Sequence, residues 1–422
     1  MTLDRTTAPP TKAIETFTLA KPQTITLKNG IIMQVVRAGV QPILGIQLSF
    51  QAGAWFAPTK EIGFFTNRML AEGTKNNTSQ QISEAFEFLG SHLELSYGMD
   101  YAHLDFYCLN KHLAQALDLV TQIITEPTFP EQELAKLKQI QIDNLKVAAE
   151  KTSVIASNLA RQKLFGTQHP YGSAMTEEAI EQTNTQHLRE FFQKAYYQQP
   201  FMLIVAGLVE DQHIELLSEA LGNLPIAPQN PKGFDTPTQA RNETLYQERQ
   251  NASQTSIRIC KKIFGRQHPD FIALSVLNEI FGGYFGSRLM QNIREEKGYT
   301  YGIYSILHLL RHDAYMTINA DVQKEFYKEA IAEVYKEIEK LKTQNVEQEE
   351  LTLVKNYMKG AFVGGLTTPL AIAERYKSLY VHQLPEDYYD HYFQEIDRIT
   401  PEKIRELAQQ IYTDEWLEVA VG

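Results

Sequence analysis

HLELSYGMDYAHLDFYCLNKHLAQALDLVTQII, residues 92–124, holds the order of elements that decides the fold. Within it Ala102, Leu104, Phe106 and Cys108 alternate with His103, Asp105 and Tyr107. A period of two predicts half-buried strands, because successive side chains point to opposite faces of a sheet. From Leu113 the period changes. Leu113, Ala116, Leu117 and Val120 follow the i, i+3, i+4, i+7 spacing of a helix with one apolar stripe. Strands followed by a helix that packs on one face make an α+β layer.

The same order returns later in the chain. YTYGIYSILHLL (299–310) and DAYMTINADV (313–322) read as strands, and YKEAIAEVYKEIEKL (327–341) reads as an amphipathic helix. FPEQEL (129–134) then matches VEQEEL (346–351), 217 residues further on in a chain of 422. An offset of half the length predicts an internal duplication. Residues 221–244 carry Pro225, Pro228, Pro231 and Pro237 with no apolar period, so they read as a connection. The expected domains are 15–222 and 240–422, joined by a linker over 223–239.

Composition narrows the function. Forty basic residues against 51 acidic ones leave a net charge of −11, which offers no general attraction to nucleic acid or anionic lipid. No run of apolar residues is long enough to span a membrane. The first 17 residues lack an apolar core and contain Asp4 and Glu15, so neither a secretory nor a transit signal fits, and a cytoplasmic location is expected. Cys108 and Cys260, the only two cysteines, read as buried free thiols.

Two adjacent helices precede the quoted stretch. Thr78-Ser79-Gln80-Gln81 is a capping box, with Ile82, Ala85, Phe86 and Leu89 as the buried stripe behind it. Upstream, residues 61–71 predict a helix with Ile62, Phe65 and Met69 on one side, ended by Gly73.

That upstream helix, EIGFFTNRMLAEGT (61–74), resembles the active-site helix of the M16 (pitrilysin-like, inverzincin) metallopeptidases, where the stretch reads approximately G-x-A-H-x-x-E-H-M-L-x-x-G-T. Met69-Leu70 and Gly73-Thr74 anchor the match without gaps. GTQHPYG (166–172), FFQKAYYQQPFMLIVAGLV (191–209) and FGSRLMQNIREEKGYTYG (285–302) are also similar to family stretches. The resemblance implies two homologous α/β-roll halves, each a mostly antiparallel sheet with helices on one face, forming a clamshell.

In the family, the two His of H-x-x-E-H share a helix face and hold one zinc ion, and the Glu acts as general base. A Glu on a later helix is the third protein ligand. Here Phe64 and Arg68 fill the His positions, Asn67 the base position and Asn144 the third-ligand position. Phe has no lone pair, Arg is permanently charged, and Asn takes up no proton near neutral pH. This chain is therefore expected to bind no metal at these positions. Phe64, Asn67 and Arg68 read more simply as parts of a helix–sheet packing layer.

Arg294 and Tyr301 match the family's R-x6-Y pair. The resemblance gives them substrate binding: a planar guanidinium for peptide carbonyls and a phenol for a developing oxyanion. Loss of the zinc set with retention of the pair resembles the non-catalytic subunit of a heterodimeric, processing-peptidase-like M16B enzyme. Zinc is then expected in the partner subunit, a zinc-bearing M16 homologue, with peptides or presequences as substrates and a homodimer as a further possibility. The alternative is a scaffold resembling the core subunits of respiratory complexes.

Three other patterns are weaker. His308 and His312 mimic a metal pair but lack the intervening Glu and sit at the end of a strand-like run. The glycines of FGGYFGSR (281–288) make no phosphate loop and read as packing or turn residues. His169, within GTQHPYG, reads as structural.

Overall fold

The computed structural model describes residues 6, 14, 17–227, 234 and 243–422. Most of the expected 223–239 linker and most of residues 1–17 lie outside the described residues.

The first sheet comprises β1 (Gln23–Thr26), β2 (Ile32–Arg37), β3 (Ile43–Phe50), β4 (His92–Tyr97), β5 (Ala102–Leu109) and β6 (Phe201–Gly207), in the order β1-β2-β6-β3-β5-β4. The second comprises β7 (Glu243–Gln247), β8 (Gln254–Lys262), β9 (Thr300–Leu309), β10 (Ala314–Gln323) and β11 (Leu417–Val421), in the order β7-β11-β8-β10-β9. Apart from β1, the two orders coincide. Each has one parallel pair, β2 with β6 and β7 with β11, and every other pairing is antiparallel. The duplication extends to the helices. Glu131–Ala149 and Gln348–Gly364 start 217 residues apart, as do Thr152–Phe165 and Pro369–Val381.

The alternation read from 102–108 positions the core. Leu44, Ile46 and Leu48 of β3 join Leu104 and Phe106 of β5 in burying one face of the first sheet. Leu113, Leu117 and Val120 of the helix Leu113–Thr125 close over them. In the second half Ile257, Ile259, Met316 and Ile318 meet Val334 and Ile338 of the helix Tyr327–Thr343 in the same way.

The opposite faces hold the main departure from the sequence reading. Each takes a helix from the other half. Thr152–Phe165, from the first half, crosses β8 and β11 of the second sheet, with Ala156, Ala160 and Leu164 against Cys260, Leu417 and Val419. Pro369–Val381, from the second half, crosses β2 and β6, with Ala373, Tyr376 and Leu379 near Val36, Met202 and Ile204. Gly45 permits this close approach, since a Cβ there would lie 2.1 Å from Leu370 Cδ2. The physical reason is legible in β6, whose seven residues are all buried. A strand apolar on both faces needs cover on both.

Both cysteines are buried and free, Cys108 in β5 and Cys260 in β8, and burial pushes each thiol up to about 12. No helix among the described residues is long and apolar enough to cross a membrane.

Candidate functional site

The helix with the degenerate motif runs Lys60–Met69. Thr59 caps its N-terminus by accepting from Ile62 N. It stops at Leu70, short of the expected Gly73, because residues 71–78 turn back and Gly73 bridges to Thr78. The following helix, Ser79–Phe88, has the predicted capping box.

Phe64, Arg68 and Asn144 line one cavity of about 420 Å³, between this helix, β4 and the helix Glu131–Ala149. The structure therefore brings together three of the four positions picked out by the motif. Phe64 is half-buried and meets Tyr97 edge-on at 6.3 Å. The Arg68 guanidinium lies 5.9 Å from the centre of the Phe64 ring. Its side chain is exposed, so it forms the rim of the cavity and not part of a packed layer. Asn67, the fourth position, does belong to the packed layer. It is fully buried, and its Nδ2 donates to the His103 carbonyl at 3.3 Å. Its Oδ1 has no acceptor role filled, beside the buried phenol of Tyr196.

This donor set does not fit zinc. A phenyl ring, a guanidinium and an exposed amide surround the opening, and the buried amide is turned into the sheet. Asp143, the neighbouring carboxylate, accepts from Gln139 on its own helix at 3.0 Å.

Arg294 and Tyr301 lie in the second half, outside the lining of that cavity. Arg294 sits on a π-helical segment, Met290–Glu296, that packs against β9. Wide helical turns of this kind recur at functional sites. The segment is pinned on two sides. Asn292 Nδ2 donates to Glu337 at 2.7 Å and Glu333 at 3.1 Å, and Arg288 makes a two-pronged contact with Glu350 at 2.7 and 2.9 Å. The Arg294 guanidinium stacks 4.5 Å from the Phe285 ring and donates from Nη1 to Glu295 at 3.4 Å. Phe285 is a residue that motif reasoning missed; its only signal is an aromatic inside a glycine-rich run.

Tyr301 stands near the start of β9, an edge strand. The register with β10 shifts there, so that Tyr301 and Gly302 lie opposite Asp321 alone. Such a bulge frees a side chain from the alternation of the strand. Tyr301 is 93% exposed, while Ile303 and Ser305 are buried. Gly282 earns its place by packing, because a Cβ there would lie 2.8 Å from the Ser305 backbone nitrogen.

The two histidines of HLLRH have separate partners. His308 Nε2 bonds with Thr317 Oγ1 at 3.0 Å, and His312 stacks on Trp55 at 4.1 Å. His169 is buried, stacks on Phe165, and accepts the Tyr171 N–H at 3.1 Å; burial lowers its pKa to about 4.

Two family models match the chain. Insulinase (peptidase family M16) covers residues 36–196, and the peptidase M16 inactive domain covers 183–358. A Bacillus subtilis protein described as the uncharacterized zinc protease YmxG is 24% identical over 84% of this chain and 86% of its own. A Helicobacter pylori protein described as a non-peptidase homolog is 23% identical over 76% and 75%. Among solved structures, a peptidase M16 inactive domain from Pseudomonas fluorescens superposes with a TM-score of 0.86, at 25% identity over 95% of this chain and 98% of that one. The periplasmic protease PqqL of Escherichia coli shares the fold with a TM-score of 0.81 at 16% identity, over all of this chain and 47% of its own.

Proposed function

The chain belongs to the peptidase M16 family, and we propose that it is the non-catalytic subunit of a heterodimeric, processing-peptidase-like M16B zinc metallopeptidase. The observation that carries this reading is an asymmetry. The metal and base positions hold Phe64, Asn67, Arg68 and Asn144, while Tyr301 stands bare to solvent beside the anchored segment that presents Arg294. A tyrosine so exposed, one edge strand from an arginine held by its neighbours, suits a surface completed by something else.

In this reading zinc belongs to the partner, a homologue with an intact motif, and supplies the hydrolytic chemistry there. This chain binds and orients an unfolded peptide or presequence. The Arg294 guanidinium donates to backbone carbonyls, and the Tyr301 hydroxyl donates to the oxygen that becomes negative. The fold fills about half of the longer Escherichia coli protein, which is in keeping with a chain that works as one of two such units. The cytoplasm is the proposed compartment.

The test is reconstitution. The purified chain alone is expected to carry no stoichiometric zinc by elemental analysis and to cleave no fluorogenic peptide. Mixed with its zinc-bearing homologue it is expected to raise kcat/KM. Arg294→Ala or Tyr301→Phe should each lower that gain by roughly 10²-fold, the scale of a lost transition-state donor. Unchanged turnover in both variants would remove the assigned role. Failure to stimulate any zinc-bearing homologue, together with stable incorporation into a larger complex, would favour the scaffold alternative.

A further inference from the structure

A second cavity, of about 630 Å³, lies between the crossing helix Thr152–Phe165 and the β8–β10–β9 face of the second sheet. The crossing helix covers β8 and β11 but leaves β9 and β10 open beside it. Ser153, Ser157 and Arg161, one helical face at i, i+4 and i+8, look onto Arg258, Thr317 and His308. The remaining wall is largely apolar, with Met99, Leu164, Ile306, Leu310 and Tyr315. Ile306 is 45% exposed, so the cavity opens to solvent along β9.

Among the described residues no carboxylate lines this space, in a chain of net charge −11. Its two guanidiniums differ in what they have left to give. Arg258 is spent. Its Nε donates to Ser157 at 2.9 Å, Nη1 to the Ile257 carbonyl at 2.8 Å and Nη2 to the Ser153 carbonyl at 3.1 Å, and Asp321 balances its charge at 3.6 Å. Arg161 is not spent. It donates from Nη2 to the neutral Asn158 at 2.7 Å. Its Nε–H is closed off from solvent and meets no acceptor among the described residues. Asp100, behind the lining residue Tyr171, is engaged by the Tyr171 hydroxyl and by the Arg311 N–H. The uncompensated charge is felt nearby. After burial itself, Arg161 is the next cause of the lowering of Lys60 to about 8 and of the depression of His308.

We propose that this cavity binds a monocarboxylate on an apolar body, with Arg161 as its counter-ion. One open guanidinium answers one negative charge, and its Nη1, which has no acceptor among the described residues and is not closed off, is the donor that a carboxylate oxygen would meet. A phosphate dianion would bring more charge than the site leaves unbalanced. The volume suits the last residues of a peptide or a medium-chain acid. The site shares no residue with the Arg294–Tyr301 surface and stands or falls independently of it.

Isothermal titration of the whole chain with octanoate, with N-acetyl-Leu-Leu as the free acid, and with the amide of that dipeptide tests the proposal. At least one acid is expected to bind. Arg161→Gln should weaken that acid roughly ten- to hundredfold, the worth of a charge-assisted bond, without moving the melting temperature of the free protein. If the peptide acid binds, its amide should be weaker by the same factor and a chain terminus is the natural source; binding of octanoate alone assigns a free acid. The proposal is overturned if neither acid binds at millimolar concentration, if peptide acid and amide bind equally, or if Arg161→Gln binds like the unaltered chain. Should Arg161→Gln fail to fold, competition for the bound acid by methyl octanoate or by the dipeptide amide on the unaltered chain decides the question: effective competition by the uncharged compound overturns it, and its absence supports it.

Discussion

Asp105 shows how the duplicated fold tolerates a charge that does little for stability. It lies on β5, facing the borrowed helix Pro369–Val381, and its Oδ1 meets no donor in good hydrogen-bond geometry among the described residues. Burial is the main reason that its pKa rises to about 6, with Glu374 and Glu94 adding to the effect and Lys377 and Gln47 opposing it. The sign follows directly. A carboxyl whose folded pKa lies above its unfolded value binds its proton more tightly in the fold, so its contribution is present at low pH and is lost as pH rises through about 6. Asp105→Asn is therefore expected to stabilise the protein by about 2–3 kcal/mol at pH 8 and by almost nothing at pH 4, read from urea midpoints. His103, its neighbour on the same strand, works in the opposite sense. Burial lowers it to about 4, so its stability contribution is full above about 6.5 and is lost as pH falls towards 4. At the same scale Asn67 and Arg68 were identifiable from the motif, but their fates were not. One residue apart on a helix, they point about 100° from each other. That angle makes one a core amide and the other a rim cation.

Among the elements, the crossing helices carry the sharpest consequence. Leu164 belongs by sequence to the first half and by packing to the second, where it joins Cys260, Leu417 and Val419. Leu164→Ala is expected to cost about 2–4 kcal/mol through lost burial and a cavity. Hydrogen exchange should show the loss of protection in β8 and β11, in the half that does not contain the substitution. The strands and helices themselves were legible because period two and period 3.6 are written into 92–124 and again into 299–341. The exchange was not, because periodicity states which face of a helix is apolar and says nothing about whose sheet receives it. Residues 153–164 carry serines, Asn158 and Arg161 along with their apolar positions, which blurs the stripe that would have declared the helix a core element. The bulge that turns Tyr301 outward was likewise hidden, since it comes from the pairing of β9 with β10 and not from either strand alone.

At the scale of the whole molecule, the two halves are not separable in the way a proline-rich connection suggests. Each sheet has one face covered by its own helices and part of the other covered by a loan. Residues 1–227 and 243–422, expressed apart, are expected to be insoluble or to lack cooperative unfolding, and to regain both properties on co-expression. Cooperative melts from either fragment alone would contradict this. What the sequence by itself determined was the duplication, the α+β layer in each half, the resemblance to the M16 family, and the identity of the side chains, Phe64, Asn67, Arg68 and Asn144, at the positions which that resemblance matches. These depend on local periodicity, on spacing and on the chemistry of single side chains. The tertiary structure alone decided which half covers which sheet, that Phe64, Arg68 and Asn144 share one opening, and that Arg161 meets the second sheet with a donor to spare. Those facts arise from contacts between residues far apart in the chain, where the burial of both sheet faces sets the packing.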